Sequence, residues 1–524
     1  MLHLTPIELV FLLLVVATGL AYVARRVGIA EPILFLLGGI ALGFWPDLPP
    51  IELPPDVVFL LFLPPILFGA AYFTPIRDFK ANLRAILLLA IGLVLFTAVL
   101  VAVVAQSLVP AMTWPVALTL GAIVAPPDAV AATAVLQRLG VPRKVVTILE
   151  GESLINDASS LIIYRTAITA VAVGSASLLL AGISFFVAGF GGIAIGVLVG
   201  VIVTRGLDRT GDPTLEIILT LIAPISAYLI GELFGVSGVL AVVVAGLITG
   251  RRGARVLSPD ARLMGYGVWG IVIWAINAFV FVLMGLQLPA IIGNLGEYSG
   301  AQLLGLGLAV SLTVIIARLV WVFPATYGPR LLSASVRESD PPPPAKAVFI
   351  VGWAGMRGVV SLAAAQALAP DFPQRDLILF LTFCVIVATL VGQGLSLPWL
   401  VQRLGMQVGR GSVLEDEETH ARLAAVEAAL RRLDELAGEY PGHLELIEQL
   451  KTQYDHEASH VWPTAGGPRD EAELELLEHR NIRNAVLTAQ REAVIHLRDD
   501  GIINDETLRA IERDLDLEAL RTGA

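Results

Sequence analysis

Ala125-Pro126-Pro127-Asp128-Ala129-Val130 interrupts an apolar run that extends from about residue 114 to residue 137. A second polar cluster follows closely, Gly151-Glu152-Ser153-Leu154-Ile155-Asn156-Asp157, inside another apolar run from about 145 to 173. The surrounding sequence is too long and too hydrophobic to be the core of a soluble domain. A charge at the centre of a bilayer costs ~2.5–3.5 kcal/mol on insertion scales, so carboxylates held there point to a functional site. Several in succession point to ion chemistry.

The composition of the whole chain agrees. Of 524 residues, 56% are hydrophobic and 15% charged, and mean hydropathy is +0.78. Soluble domains carry roughly 25% charged residues. A polytopic membrane protein is expected. Met1 to Glu8 contains no lysine or arginine, so the first apolar segment lacks the basic leader of a signal peptide and is expected to stay as a span. The one cysteine, Cys384, excludes an intramolecular disulfide and a cysteine-rich metal site. Residues 1–410 hold 23 basic against 20 acidic side chains, and residues 411–524 hold 12 against 26. A tail this acidic does not attract nucleic acid or an anionic lipid surface through bulk charge.

A spanning helix needs about 20 mostly apolar residues. Thirteen such runs are expected, at roughly 7–24, 31–46, 55–73, 84–106, 114–137, 145–173, 178–204, 214–232, 234–250, 267–288, 301–324, 346–368 and 376–401. They alternate the basic loops onto one side, from Arg25 and Arg26 through Arg251, Arg252 and Arg255 to Arg403, with Arg375 on the other. The opposite face carries Asp47, Glu52 and Asp56. The positive-inside rule then places the N-terminus outside and the C-terminal tail in the cytoplasm of a cell-membrane protein.

Two spans are expected to be broken. Span 5 carries Pro126-Pro127 at its middle, and proline removes a backbone donor and clashes with the preceding turn. Span 12 carries Gly352-Trp353-Ala354-Gly355-Met356-Arg357-Gly358, three glycines around an arginine. Irregular backbone at membrane depth is tolerated where protein buries it or a cavity wets it. Interrupted helices at matching positions of two halves mark transporter binding sites. If spans 1–6 and 8–13 are inverted repeats, spans 5 and 12 correspond. The fold class expected is therefore all-α, with about thirteen spans in two inverted repeats, crossed broken helices, and a cytoplasmic helical tail. The tail, 411–524, reads as amphipathic helices over 414–437, 443–460, 470–498 and 504–521, with Leu423, Val426, Leu430 and Leu433 at helical spacing. Gly442 and the stretch from Pro463 to Pro468 separate them. Dimer contacts or regulation are the roles expected of it. Pro341 to Pro344 reads as a stiff loop.

On span 6, Glu152 and Asn156 share one helical face, and Ser153 and Asp157 share the next. Carboxylate, hydroxyl and amide oxygens thus fall within about a turn and a half. Hard cations take oxygen ligands, and carboxylates also carry protons. A site that accepts either is what an exchanger requires. Asp128 is open to two readings, a member of that site or a helix cap within the break. Arg357 is always charged and needs a partner at membrane depth; Glu152 is the expected one, which makes that pair structural. Arg318 is expected to snorkel towards the cytoplasm. Arg165 has no evident role. Gly192, Gly196 and Gly200 on span 7 suit close packing, within the core or between copies.

Three motifs carry a resemblance. The stretch 151–157 is similar to the span-6 motif of monovalent cation/proton antiporters of the NhaP and eukaryotic sodium/proton exchanger type. Leu63-Pro64-Pro65-Ile66-Leu67-Phe68-Gly69-Ala70-Ala71-Tyr72-Phe73 is similar to the span-3 motif, and Gly355-Met356-Arg357-Gly358-Val359-Val360-Ser361-Leu362-Ala363 to the span-12 motif. Together they cover essentially residues 5–405. The resemblance implies that Asp157 binds the cation and the proton, that Asn156 orients the site with Asp128 across the crossing, and that Ser153 adds an oxygen. It implies a stabilising ion pair of Glu152 and Arg357, a homodimer, and no cofactor beyond the transported ions. Members with Asn-Asp in span 6 are generally electroneutral. A single titrating Asp157, occupied in turn by a proton or a monovalent cation, moves no net charge per cycle. Two departures stand out: Pro127-Asp128-Ala129 where the family usually has Thr-Asp-Pro or a close relative, and Gly69 where it often has an acid.

Sodium is the cation expected, with potassium/proton exchange as the alternative. An ion channel is disfavoured by the absence of a repeated filter loop. His456-Glu457-Ala458-Ser459-His460 matches H-E-x-x-H, the helical metal pair and base of zinc peptidases. In a Glu-rich helical tail, with Val461-Trp462-Pro463 ending the helix, it reads as a solvated helix face. A membrane-anchored zinc peptidase is the alternative from another class.

Overall fold

The computed structural model describes residues 6–45, 58–173, 178–406 apart from 294 and 297, 414–461, 469–500, 502 and 505–522. They fall into two units, Met1–Val408 and Gly409–Ala524. Among the described residues every regular element is helical.

In the first unit the principal helices are α1 (Pro6–Val27), α2 (Glu31–Gly43), α3 (Leu63–Phe73), α4 (Val94–Leu108), α5 (Trp114–Val124), α6 (Ala129–Arg138), α7 (Arg143–Val173), α8 (Leu178–Thr210), α9 (Pro213–Leu233), α10 (Gly238–Val256), α11 (Pro259–Leu286), α12 (Gly300–Leu332), α13 (Ala345–Trp353), α14 (Val359–Gln366), α15 (Arg375–Val387) and α16 (Gly394–Leu404). Each apolar run of the sequence contains helix. Eight helical stretches among the described residues are long and apolar enough to cross a membrane, one of them, Trp114–Arg138, taking in both α5 and α6, and Glu31–Gly43 and Val58–Phe73 are shorter apolar helices. Spans 5 and 12 are broken as expected, between α5 and α6 and between α13 and α14. Span 11 runs further than the sequence suggests. α12 continues through Pro324 and Pro329 to Leu332, which puts Arg318 near its midpoint instead of its end. Asp47, Glu52 and Asp56 lie outside the described residues.

The packing repeats itself with the two halves exchanged. α10 lies along α3, and α2 lies along α11; α4 packs on α5, and α12 on α13; α7 packs on α6, and α15 on α14. The glycines show why the close pairs match. A Cβ on Gly246 would lie 2.9 Å from the Phe68 carbonyl, and one on Gly250 would run into the carbonyl of Tyr72, one turn on. In the other half a Cβ on Gly39 would run into the Val282 carbonyl, and one on Gly43 would lie 3.0 Å from that of Leu286. Two glycines four residues apart share one helical face, so each pair lets two backbones approach where any side chain would hold them apart. Gly192, Gly196 and Gly200 of α8 do the same against Ser237, Ala241 and Ala245 at the start and middle of α10. They are packed within the chain.

The tail forms α17 (Leu414–Glu439), α18 (Leu444–Val461), α19 (Arg469–Asp499) and α20 (Asp505–Thr522). α17 packs on α18, and α19 on α20. Val426, Leu433, Ile447, Leu487, Leu508 and Leu515 are buried, and Lys451 bonds Asp434 at 2.6 Å across the first hairpin. The side chains of His456 through His460 lie outside the described residues, as do residues 462–468 with the Pro-Gly stretch.

Candidate functional site

The two helix breaks meet, and the residues that end each half-helix meet with them. α5 stops because Pro126 and Pro127 offer no backbone N–H, which leaves its last carbonyls without intrahelical donors. Two side chains supply donors to them, and a third serves a carbonyl within the break. Arg357 Nε donates to the Val124 carbonyl at 2.9 Å. Asn156 Nδ2 donates to the Pro127 carbonyl at 2.7 Å. Ser160 Oγ donates to the Ala122 carbonyl at 3.1 Å. On the other strand of the crossing, α13 ends at a glycine-rich turn, and Arg318 donates to the Val351 carbonyl from Nε at 3.2 Å and Nη2 at 3.1 Å. Positive guanidinium groups therefore sit at the negative, C-terminal ends of both half-helices.

The N-terminal ends share a carboxylate. Asp128 caps α6, its Oδ1 accepting from the Val130 N–H at 2.9 Å. Its own N–H donates to the Met356 carbonyl at 2.7 Å, which ties the two breaks together. Gly358 caps α14, and a Cβ there would run into the Asp128 carboxylate. One aspartate thus faces the positive ends of α6 and α14 at once. The cap reading of Asp128 holds, and the residue lies at the crossing.

α7 passes beside this crossing as an unbroken helix of 31 residues. It brings the other expected residues to the same place. Ser153 Oγ accepts from the Ala129 N–H at 3.4 Å. Asn156 is fully buried, and its Oδ1 has no partner. Asp157 is 6% exposed and interacts electrostatically with Asp128. Among the described residues no basic side chain pairs with it. Ser153, Asn156, Asp157 and Asp128 thus all lie at the crossing, where the buried Asn156 Oδ1 has no partner.

The expected Glu152–Arg357 pair is corrected by the geometry. Glu152 bonds Arg318 instead, Oε1 to Nη1 at 2.5 Å and Oε2 to Nη2 at 2.8 Å. The two side chains are each 1% exposed. Arg318 does not snorkel to a surface. It reaches the crossing because Gly355 leaves its path open; a Cβ there would lie 2.6 Å from Arg318 Nε. Arg357 is fully buried beside this pair, bonded to the carbonyls of Val124 and Gly355. Its N–H donates to Thr389 Oγ1 at 3.0 Å, and its Nη2 is unpartnered. Arg318 is the residue that sequence reasoning misplaced. The signal that would have found it is its depth in a helix that two prolines fail to end.

Two further charged contacts stand apart from the crossing. Arg165, one residue of α7 without an evident role in the sequence, chelates Glu232 of α9 through Nη2, at 2.9 Å and 2.8 Å to its two oxygens. Asp340, just before Pro341, gathers Arg84 at 2.6 Å, Lys144 at 2.8 Å and Arg330 at 2.7 Å. Partial burial pushes the Asp340 carboxyl up, but the Lys144 hydrogen bond and the charges of Lys144 and Arg330 outweigh it and hold it below the usual carboxylate range.

Known proteins resemble this chain in sequence and in fold. Residues 10–403 match the family described as sodium/hydrogen exchanger, transmembrane. The chain is 35% identical over 513 residues to an uncharacterized Na(+)/H(+) exchanger of Mycobacterium tuberculosis, covering 95% of this chain and 92% of that one. It is 33% identical over 414 residues to a sodium, potassium, lithium and rubidium/H(+) antiporter of Bacillus pumilus, covering 76% of this chain and 61% of that one. Among solved structures, the sodium proton antiporter MjNhaP1 of Methanocaldococcus jannaschii is alike in fold, with a TM-score of 0.62 and 21% identity over 76% of this chain and 98% of that one.

Proposed function

This chain belongs to the sodium/hydrogen exchanger family, whose members are transporters and not enzymes, and on that premise we propose that it exchanges one monovalent cation, sodium first, for one proton by alternating access. The observation that carries the reading is a charge count at the crossing. Glu152, Asp128 and Asp157 contribute three negative charges, and Arg318 and Arg357 contribute two positive ones. Glu152 is consumed by Arg318. Arg357 lies within electrostatic reach of that pair, and its charge balances one of the two aspartates in the count. Asp157 is left over. A buried lone carboxylate is expensive, so it takes up either a proton or a cation. One charge in each state makes the cycle electroneutral.

For the cation, Asp157 and Asp128 supply carboxylate oxygens, Ser153 a hydroxyl and Asn156 its unpaired Oδ1, replacing part of the hydration shell. Asn156 is also a positioning residue, since its Nδ2 fixes the Pro127 carbonyl and with it the break. With Pro127-Asp128-Ala129 in the break, the start of α6 is capped by Asp128 on the Val130 N–H and by Ser153 on the Ala129 N–H. Cation-induced pH change in sealed vesicles tests the assignment. Asp157→Ala abolishes it; full exchange by that variant means the carrier is another residue.

Potassium is the second reading, favoured by the Bacillus relative named for sodium, potassium, lithium and rubidium. The loops rich in arginine and lysine are proposed to face the cytoplasm, with the N-terminus outside a cell membrane and the acidic tail inside. A homodimer, and a tail that tunes exchange without carrying it, complete the proposal. Removal of residues 411–524 then leaves exchange in place and shifts its pH or cation dependence, and complete loss in a correctly inserted truncation contradicts that role.

A further inference from the structure

Arg165 lies eight residues beyond Asp157 on α7, two turns and about 12 Å along the helix. Leu161 stands halfway between, so the three fall close to one helical face. Glu232, its partner, is the last residue but one of α9. α7 and α9 otherwise barely approach each other. α7 packs with the crossed half-helices, whereas α9 packs with α8, α10 and α3. α7 itself packs on α3, α8 and α10, so the ion pair adds a polar tie from the helix that carries Asp157 to α9, in a bundle that already lies against that helix.

Between them is a cavity of about 560 Å3. Its lining includes Ala158, Leu161 and Ile162 of α7, Tyr228 of α9 and Ser237 before α10, together with both members of the pair. Ala158 adjoins Asp157, so the cavity runs from the ion pair to the residue beside the carrier. A second cavity, of about 340 Å3, lies along α6. Arg25 and Arg138 line its basic end, and Val130, two residues from Asp128, lines its depth. Both cavities have an ion pair among their lining residues, Arg165 with Glu232 in the first and Arg25 with Glu31 in the second, but only the first pair stands on the helix that carries Asp157.

We propose that Arg165 and Glu232 form a gate across the access route on the face opposite the basic loops, closed in this conformation and opened once per transport cycle. The pair suits the task. Half-exposed ion pairs contribute modestly, so it biases an equilibrium without locking it. Chelation of one guanidinium nitrogen by both carboxylate oxygens needs the two helix ends in register, and a small shift of α7 against α9 breaks both bonds. The alternative is a fixed strut that stays formed throughout the cycle.

The inference rests on the antiport reading for its place in a cycle, but its test does not need transport. Leu161→Cys in a Cys384→Ser background is labelled in sealed vesicles by a membrane-impermeant maleimide applied from the face opposite the basic loops. Glu232→Gln and Arg165→Gln are each expected to speed labelling on the order of fivefold, the lower end of conformational couplings. The exchanged pair, Arg165→Glu with Glu232→Arg, restores the slow rate. Unchanged labelling in both single variants makes the pair a strut and overturns the gate. Equally fast labelling in the exchanged pair overturns it too, because loosened packing then explains the result. Vesicles of the parent protein that show no cation/proton exchange would sink the antiport reading instead, and the labelling would still decide the gate.

Discussion

Arg318 holds both carboxylate oxygens of Glu152, at 2.5 Å and 2.8 Å, between the middle of one spanning helix and the polar face of another. The same guanidinium caps the Val351 carbonyl at the end of α13. One side chain thus neutralises a buried acid and satisfies a helix break. Removing one partner of a buried ion pair leaves an uncompensated charge and costs about 3–5 kcal/mol.

That cost is the first prediction. Arg318→Ala and Glu152→Ala each lower the thermal unfolding midpoint of the detergent-solubilised protein by an amount matching a loss of about 3–5 kcal/mol. Arg318→Lys rescues little, because an ammonium cannot hold two oxygens and a carbonyl in one plane. A lysine variant as stable as the parent contradicts the role.

Gly358 gives the second. A Cβ there displaces the Asp128 carboxylate from the start of α14. Displacements near 1 Å cost up to about 100-fold in reactions that depend on position. Gly358→Ala is expected to insert normally and lose most exchange. Gly392, which has nothing within 4 Å of a Cβ, is the control, and Gly392→Ala keeps full exchange. Equal rates for the two variants contradict the contact.

Much of this site is legible in the sequence. Ser153, Asn156 and Asp157 follow from helical spacing alone, because α7 is regular where they lie. The breaks follow from Pro126-Pro127 and from the glycines around Arg357. Arg318 was not legible, because Pro324 and Pro329 suggest an end that burial in a helical bundle overrides. Nor was the Arg165–Glu232 contact, which joins residues 67 positions apart with no local pattern to announce it. The glycine pairs are visible as spacing, but their partners, the carbonyls of Phe68, Tyr72, Val282 and Leu286, are backbone and leave no mark in the sequence.

Those pairs make the third prediction. Gly250→Val and Gly39→Val push apart helices whose backbones touch. Overpacking of this kind costs about 1–3 kcal/mol, and the two halves should be hurt alike. The midpoint of thermal unfolding measures it; a loss confined to one variant would mean that the repeat does not extend to these contacts.

Asp340 carries the pH dependence. Its carboxyl is held below the usual range, so its contribution is fully present above the unfolded value of about 3.9 and is lost as pH falls through the lower folded value. The group is partly exposed and two of its three partners, Arg84 and Lys144, are more so, and screening keeps the contribution below about 1 kcal/mol. The stability gap between the parent and Asp340→Asn is therefore flat at neutral pH and closes only in acid. A gap that grows as pH falls has the wrong sign.

The central claim is that one charge is missing at the crossing and that one cation or one proton supplies it. Sodium-driven proton movement in sealed vesicles, measured with and without an imposed membrane potential, tests it most directly. The account predicts the same initial rate in both conditions, and no exchange in Asp157→Ala. A rate that follows the potential would mean that more than one proton moves per cation, and that a second carboxylate, Asp128 first, titrates in the cycle.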